Sequence, residues 1–169
     1  MKSRPIISIA LIALVVVALD RLTKIWAANT LPLGESQPVI GELLQFHLAF
    51  NPGAAFSIFT NATWLFTAFS TAISIYILYK AKQIKSGLWQ IGAGGILGGA
   101  VGNLIDRFIN EPGFPNGHVT DFIQLPNWPV FNIADSSVFC SAIFLMVISL
   151  RGLNYDGTKD VPAKELKND

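Results

Sequence analysis

The chain has 169 residues, of which 51% are hydrophobic and only 14% are charged, and its formal net charge is +1. Soluble domains carry about 25% charged residues, so this composition excludes an ordinary soluble protein and indicates a single membrane domain. The near-zero charge argues against a nucleic-acid-binding protein, while one cysteine and two histidines exclude an internal disulfide and leave carboxylates as ligands for any metal.

Four apolar stretches approach the length of about 20 residues that a transmembrane helix needs. We predict these spans at about residues 6–28, 62–80, 87–107 and 134–151. The first stretch also has the basic start and apolar centre of a signal peptide. Against that alternative, Asp20, Arg21 and Lys24 lie between the apolar run and any cleavage point. The predicted fold is therefore membrane α-helical, with four transmembrane helices in one domain over residues 1–169.

Basic residues are confined to alternate connections between the spans. Lys and Arg precede span one, lie between spans two and three, and follow span four, whereas the loops at 29–62 and 110–131 contain neither. Cytoplasmic segments are enriched in Lys and Arg, so both termini are predicted to be cytoplasmic and both long loops to face outward. The polar tail at 155–169 is predicted to be disordered.

The outer loops have contrasting patterns. Phe46, Leu48 and Phe50 alternate with smaller or polar residues, which is typical of a strand and predicts a small β-sheet on the outer membrane surface. The second outer loop is rich in Pro and Gly and is predicted to be an irregular loop that packs over the helix ends.

Ionisable and amide residues gather at one depth, just under the outer interface. They are Asp20 and Lys24 of span one, Asn103, Asp106 and Arg107 of span three, Asp135 of span four and Asp121 of the second outer loop. Ionisable residues within the membrane are costly and usually functional. The alternative is that the charges only mark helix ends and snorkel to water, which would account for Lys24 and Arg21.

Asp121 and Asp135 are the candidate catalytic pair. Two carboxylates in a partly apolar site cannot both ionise easily, so one acts as general base and the other as general acid. The helix dipole favours Asp135 as the anion and leaves Asp121 as the proton holder. An N-terminal helix cap is the alternative role for Asp135, although Asn132 can cap as well.

Other chemistries have weaker support in the sequence. No serine lies near His118, His47 is expected to be exposed on its strand, and Cys140 is expected to be buried and inert. The glycine-rich run at 92–102 lies within a span and lacks the Gly-Lys-Ser/Thr ending of a phosphate loop, so close helix packing is the better interpretation.

Five short blocks carry most of these polar residues. They are Asp20–Lys24, Asn51–Phe56, Gly98–Arg107, Val119–Phe122 and Phe131–Ser136. In this order they match the patterns D-x-x-x-K, N-x-G-A-A-F, G-G-x-x-G-N-x-x-D-R, V-x-D-F and F-N-x-A-D-S. The chain resembles the bacterial lipoprotein signal peptidases, or signal peptidase II, over nearly its whole length. One block alone would be weak, but five in order are highly specific.

The resemblance implies a metal-free aspartic endopeptidase without a cofactor, whose dyad falls on Asp121 and Asp135. It implies that the protein removes signal peptides from diacylglyceryl-modified prolipoproteins, cutting before the lipidated cysteine, and is inhibited by globomycin-like peptides. The implied location is the bacterial cytoplasmic membrane, with the site near the outer face, membrane lipid as a partner and a monomer as sufficient. The implied supporting residues are Asp20, Lys24, Asn51, Gly53, Asn103, Asp106, Arg107, Asn132 and Ala134. Arg21 replaces the Gln of many relatives, a difference expected to matter little.

Two rival classes would use the same acids differently. A small transporter could relay protons through them, but transporter sites lie near the membrane midplane between repeats, and this sequence shows neither feature. A metal-dependent membrane protease would need a motif such as His-Glu-x-x-His, which the chain lacks.

Overall fold

The computed structural model describes residues 4–53 and 63–159 and contains four long helices. They are α1 (Pro5–Thr30), α2 (Thr63–Lys80), α3 (Gly87–Ile109) and α4 (Ile133–Leu150), and a 3-10 turn (Ala81–Gln83) follows α2. All four are long and apolar enough to cross a membrane, which confirms the predicted fold class.

Helix α3 lies at the centre of the bundle and packs against the other three helices. Its glycines permit this close approach. A Cβ on Gly98 would lie 2.8 Å from the carbonyl oxygen of Ala13 on α1, and one on Gly99 would collide with the carbonyl oxygen of Ala134 on α4. The glycine run therefore serves helix packing, as the sequence indicated.

A cluster of buried apolar side chains joins α1, α2 and α3 at one end of the bundle. It comprises Ile9, Ala13, Ile77, Ala81, Ile84, Ala93 and Leu97. Helix α4 packs on the other side of α3 through Ala134, Val138, Ser141 and Leu145. Cys140 points away from this contact and is exposed, so the prediction that it is buried was wrong.

A three-stranded antiparallel sheet lies at the opposite end of the bundle, which we call the sheet end. Its strands are β1 (Ser36–Ile40), β2 (Leu44–Asn51) and β3 (Val119–Gln124), in the order β1-β2-β3. The second outer loop is thus irregular on both sides of β3 but not throughout. The prediction of an irregular segment there overlooked a run of β-branched and aromatic residues that pairs with β2.

Aromatic and aliphatic side chains fix the sheet onto α1. Ala27, Leu31, Leu48 and Phe122 are buried together, and the ring of Trp26 meets that of Phe46 edge-on with centroids 5.1 Å apart. This cluster sets the position of β3, and hence of Asp121, relative to the helices.

The chain after α4 folds back onto the start of α3. The carbonyl oxygen of Tyr155 accepts hydrogen bonds from the backbone N–H groups of Lys85 and Ser86, and Trp89 Nε1 donates to the carbonyl of Leu153. The described chain is therefore folded up to residue 159, within the tail predicted to be disordered, and residues 160–169 lie outside the described residues.

Candidate active site

The residues singled out in the sequence meet where three helices approach the sheet end. Helix α1 supplies Asp20 and Lys24, α3 supplies Asn103, Asp106 and Arg107, α4 supplies Asp135 with Asn132 and Ala134 at its start, and the strands supply Asn51 and Asp121. Asp20, Asp106 and Asn132 are fully buried, and Asp121 is 1% exposed. Of the block that begins at Asn51, residues 54–56 lie outside the described residues.

Asp135 is held at the start of α4 by a reciprocal helix cap. The side-chain oxygen of Asn132 accepts from the backbone N–H of Asp135 at 2.9 Å, and Asp135 Oδ2 accepts from the backbone N–H of Asn132 at 3.3 Å. The capping role of Asp135 is thus present in the structure. It occupies one carboxylate oxygen, and the second faces the other site residues.

Three asparagine amides point their NH₂ groups at the two carboxylates. Asn51 and Asn132 donate to Asp121 Oδ2 and Oδ1 at 2.9 and 2.6 Å, and Asn103 donates to Asp135 Oδ1 at 2.7 Å. Each oxygen of the pair therefore accepts one hydrogen bond from the protein. A carboxylate has about four lone-pair positions, so each keeps capacity for a water or a substrate.

The orientation of each amide follows from what binds its oxygen. Asn103 Oδ1 accepts from Lys24 Nζ at 3.0 Å, and Asn51 Oδ1 accepts from the backbone N–H of Gly53 at 2.8 Å. The oxygen of Asn132 is bound by the backbone N–H of Asp135. Because these partners can only donate, each NH₂ group must face a carboxylate.

Burial and a second charge make Asp121 hard to ionise. Burial in β3 is the larger cause and the negative charge of Asp135 the second, and together they raise the pKa of Asp121 to about 7 despite the donors from Asn51 and Asn132. Asp121 is thus well suited to hold a proton near neutral pH.

Lys24 is buried rather than snorkelling to water. It is 2% exposed, and its Nζ lies 2.8 Å from Asp20 Oδ2 and 3.0 Å from Asp106 Oδ2. The alternative interpretation, in which Lys24 only marks a helix end, does not hold, because the side chain turns inward to two acids and to Asn103.

The two acids around Lys24 also position the elements that carry Asp121 and Asp135. Asp20 Oδ1 accepts from the backbone N–H of Ala134 at the start of α4 at 2.9 Å. Asp106 Oδ2 accepts from the backbone N–H of Thr120, the residue before Asp121, at 2.9 Å. Asp20 thus links α1 to the start of α4, which carries Asp135, and Asp106 links α3 to β3, which carries Asp121. Thr120 contributes only its backbone, so a search for polar side chains could not find it.

Arg21 also belongs to this network. Its guanidinium lies 2.8 Å from Asp106 Oδ1, and its side chain is 29% exposed. The alternative interpretation, in which Arg21 only snorkels to water, does not account for this contact. The sequence did contain a signal for this role, because Arg21 is a second cation next to Asp20 within a predicted span.

Arg107, next to Asp106 on α3, interacts electrostatically with both Asp121 and Asp135. It is 6% exposed, one nitrogen donates to the carbonyl of Gly117 at 3.2 Å, and the guanidinium lies over the ring of Phe66. Among the described residues, its Nε has no hydrogen-bond partner. A buried donor of this kind is suited to bind a carbonyl oxygen of a substrate.

The structure also brings a serine next to a histidine, which the sequence did not suggest. Ser36 Oγ lies 3.0 Å from Nδ1 of half-buried His47, across β1 and β2. Ser36 Oγ also donates to Gln124 Oε1 at 2.8 Å, so the hydroxyl bridges two side chains of the sheet. Within residues 4–53 and 63–159, no group of three or more His, Cys, Asp or Glu is arranged to hold a metal ion.

Four membrane helices that enclose a pair of buried carboxylates are the architecture of a membrane-embedded aspartic protease. The family model for signal peptidase (SPase) II matches residues 12–151. A lipoprotein signal peptidase of Rhodococcus jostii (strain RHA1) is 46% identical over 148 residues, covering 88% of this chain and 75% of that protein. One from Mycobacterium tuberculosis (strain ATCC 25618 / H37Rv) is 43% identical over 145 residues, covering 86% and 72%.

The fold is also similar to that of a bacterial membrane enzyme solved by the in meso method at 2.3 Å resolution. The TM-score is 0.74 at 31% identity, over 90% of this chain and 93% of that chain. The chain therefore belongs to the signal peptidase II family. This confirms the resemblance seen in the sequence and the prediction of an aspartic protease, and removal of signal peptides from prolipoproteins is the function of the family.

Proposed function

We propose that Asp121 and Asp135 are the catalytic dyad with which this peptidase removes signal peptides from diacylglyceryl-modified prolipoproteins. The cut falls before the lipidated cysteine. One observation carries the proposal: two carboxylates on different elements accept hydrogen bonds from asparagine NH₂ groups, and the oxygen of each amide is bound by another donor that fixes its orientation. If Asp135 served only to cap α4, the site would not need the hydrogen bonds that Asn51 and Asn103 donate to the two carboxylates.

In the proposed reaction, ionised Asp135 takes a proton from a water, which attacks the scissile carbonyl. Asp121 holds the other proton and gives it to the leaving amine. The start of α4 favours the negative charge on Asp135. Burial in β3 favours the protonated form of Asp121 at neutral pH, where its pKa of about 7 leaves a substantial protonated fraction. The pair titrates as a unit, so the pH–rate profile reports both groups together.

Arg107 is the proposed binding group for a substrate carbonyl. Its Nε is buried, its charge interacts with both carboxylates, and a carbonyl oxygen that becomes negative during attack would be stabilised by a fixed positive charge. Asn51, Asn103 and Asn132 hold the carboxylates in place, and Gly53 and Ala134 hold Asn51 and Asp20 through backbone N–H groups. These are the proposed roles of the supporting residues.

The proposed location is the bacterial cytoplasmic membrane, with both termini in the cytoplasm and the sheet end at the outer face. The distribution of Lys and Arg along the sequence supports this orientation. Membrane lipid then surrounds the helices and is a partner of the protein, and a lipid-modified substrate reaches the site from the bilayer. The dyad comes from one chain, so a monomer is sufficient.

A reconstituted assay tests the dyad directly. We expect Asp121→Asn and Asp135→Asn each to abolish release of the signal peptide from a diacylglyceryl-modified prolipoprotein while the variants still insert and fold. Glu42→Gln is the matched control, because Glu42 is an exposed carboxylate on the turn between β1 and β2. Turnover retained by either aspartate variant would remove that residue from the dyad.

Two further measurements test the remaining parts of the proposal. Reporter fusions after Lys82 should read cytoplasmic and fusions within 116–124 external; the reverse result would refute the orientation. Globomycin should inhibit the wild-type protein and a chelator should not. A strong loss of activity with the chelator would support a metal-dependent mechanism instead.

A further inference from the structure

Arg21 connects the partly exposed side of α1 to the interior of the site. Its guanidinium binds one oxygen of Asp106, and the other oxygen of Asp106 lies 3.0 Å from Lys24 Nζ. Lys24 in turn binds Asn103 Oδ1, and the NH₂ group of Asn103 binds Asp135. A continuous series of charged and amide groups therefore runs from Arg21 to the dyad.

Asp106 also connects Arg21 to the second aspartate. The carboxylate accepts from the backbone N–H of Thr120, which precedes Asp121 on β3. Arg21 thus lies behind an acid that contacts both Lys24, which is linked to Asp135 through Asn103, and the strand of Asp121. It does not itself touch either catalytic carboxylate in the hydrogen bonds of the described residues.

The charges of this region balance only when Arg21 is counted. Two buried acids, Asp20 and Asp106, face Lys24, which neutralises one of them. Arg21 neutralises the other. Arg107 then balances the dyad in the state that holds one proton, which is the state proposed to react.

We propose that Arg21 is a positioning residue that neutralises Asp106, so that no uncompensated negative charge of this network acts on the Asp121–Asp135 dyad. This inference rests on the proposed function of the dyad. Without Arg21 the surrounding network carries one extra negative charge. Both proton losses of the dyad would then occur at higher pH, because each leaves a more negative site.

The other ionisable groups near the dyad do not replace Arg21. The ionisable groups on the described elements around the dyad are Asp20, Arg21 and Lys24 of α1, Asp106 and Arg107 of α3, Asp135 of α4, Asp121 of β3, His47 of β2, and Glu111 and His118 of the loop before β3. The charged residue in the described part of α2 is Lys80, at the end of that helix far from the sheet. Lys24 is matched by Asp20 and Arg107 by the dyad itself, so neither can take the place of Arg21 at Asp106.

The test is the pH–rate profile of Arg21→Gln, with Arg21→Lys and Arg21→Met measured beside it. We expect both limbs of the bell-shaped kcat/KM profile to move to higher pH in the Gln and Met variants. The expected shift is roughly one pH unit, the effect of a unit charge at about 10 Å in an effective dielectric of about 20. In Arg21→Lys both limbs of the profile should stay at their wild-type pH values, since lysine keeps the positive charge.

The control is Arg151→Gln, which removes an exposed arginine at the other end of the bundle and should leave the profile in place. A Gln profile that coincides with the wild type, or one lowered equally at all pH values, overturns the proposal. Failure of both neutral variants to fold would overturn it too, because Arg21 would then be structural. If Asp121→Asn and Asp135→Asn are inactive but the Arg21 profiles do not move, the dyad stands and this inference alone falls.

Discussion

Asn132 has two separable roles, and a serine at this position would keep one and remove the other. Its side-chain oxygen caps α4 at Asp135 N, and its NH₂ group donates to Asp121 Oδ1 at 2.6 Å. Serine is as good an N-cap as asparagine but has no amide to reach Asp121. Asn132→Ser should therefore fold like the wild type and yet lose activity.

The size of each effect follows from the contacts. A hydrogen bond to an uncharged acceptor, such as the protonated Asp121 of the proposed reacting state, is worth about 0.5–1.5 kcal/mol, so loss of the amide should lower kcat/KM roughly 2- to 10-fold. Asn132→Ala should show the same loss of activity. It should also lower the free energy of unfolding by about 1 kcal/mol because the cap is gone.

The assay pairs turnover of a lipid-modified prolipoprotein with thermal unfolding in the same detergent. Asn29→Ala is the control, since Asn29 donates only to the carbonyl of Ile25 on the exposed side of α1. If Asn132→Ser retains wild-type kcat/KM, the donor to Asp121 has no catalytic role and the reasoning about oriented amides fails. If Ser and Ala destabilise equally, the capping role is wrong.

Three other predictions concern stability. The pKa of Asp121 is raised from 3.8 to about 7 in the folded protein, so its contribution to the free energy of unfolding falls as the pH rises from 3.8 to about 7. The Tm of Asp121→Asn should therefore depend less on pH in that range than the Tm of the wild type. An equal slope of Tm against pH in the two proteins would refute the pKa shift. Lys24→Met leaves Asp20 and Asp106 underpaired and should cost about 3–5 kcal/mol in detergent unfolding, whereas Lys82→Met, on an exposed side chain, should cost almost nothing. Gly99→Val should lower Tm strongly because its side chain meets the Ala134 carbonyl, while Gly87→Ala enters open space; equal Tm values would contradict the packing argument.

The helices were predictable because their signal is strong and local. A run of about 20 apolar residues has few alternatives in any fold, and the four runs correspond to α1 to α4. Strand β3 was missed because prolines and glycines on both sides of Val119–Gln124 indicate a loop. Its pairing with β2 depends on residues about 70 positions earlier, a distance that local patterns do not capture.

The site was predictable as a set of residues but not as a set of contacts. Intramembrane acids and amides are conspicuous, and topology alone brings them to one level. The direction of each side chain depends on packing. Lys24 could have reached water, but Asp20 and Asp106 draw it inward, and Cys140 faces outward because α4 uses its other side against α3. The backbone donor at Thr120 has no signature in the sequence.

The dyad joins two parts of the protein that respond differently to the bilayer. Asp135 begins a helix long and apolar enough to span the membrane, whereas Asp121 lies on a sheet fixed to the end of α1 by Trp26, Phe46 and Phe122. Helices tilt to match the hydrocarbon thickness around them, and a sheet at the bundle end does not. The turnover of this peptidase should therefore depend on the length of the lipid acyl chains. It should be highest at the bilayer thickness that keeps the two carboxylates correctly placed relative to each other.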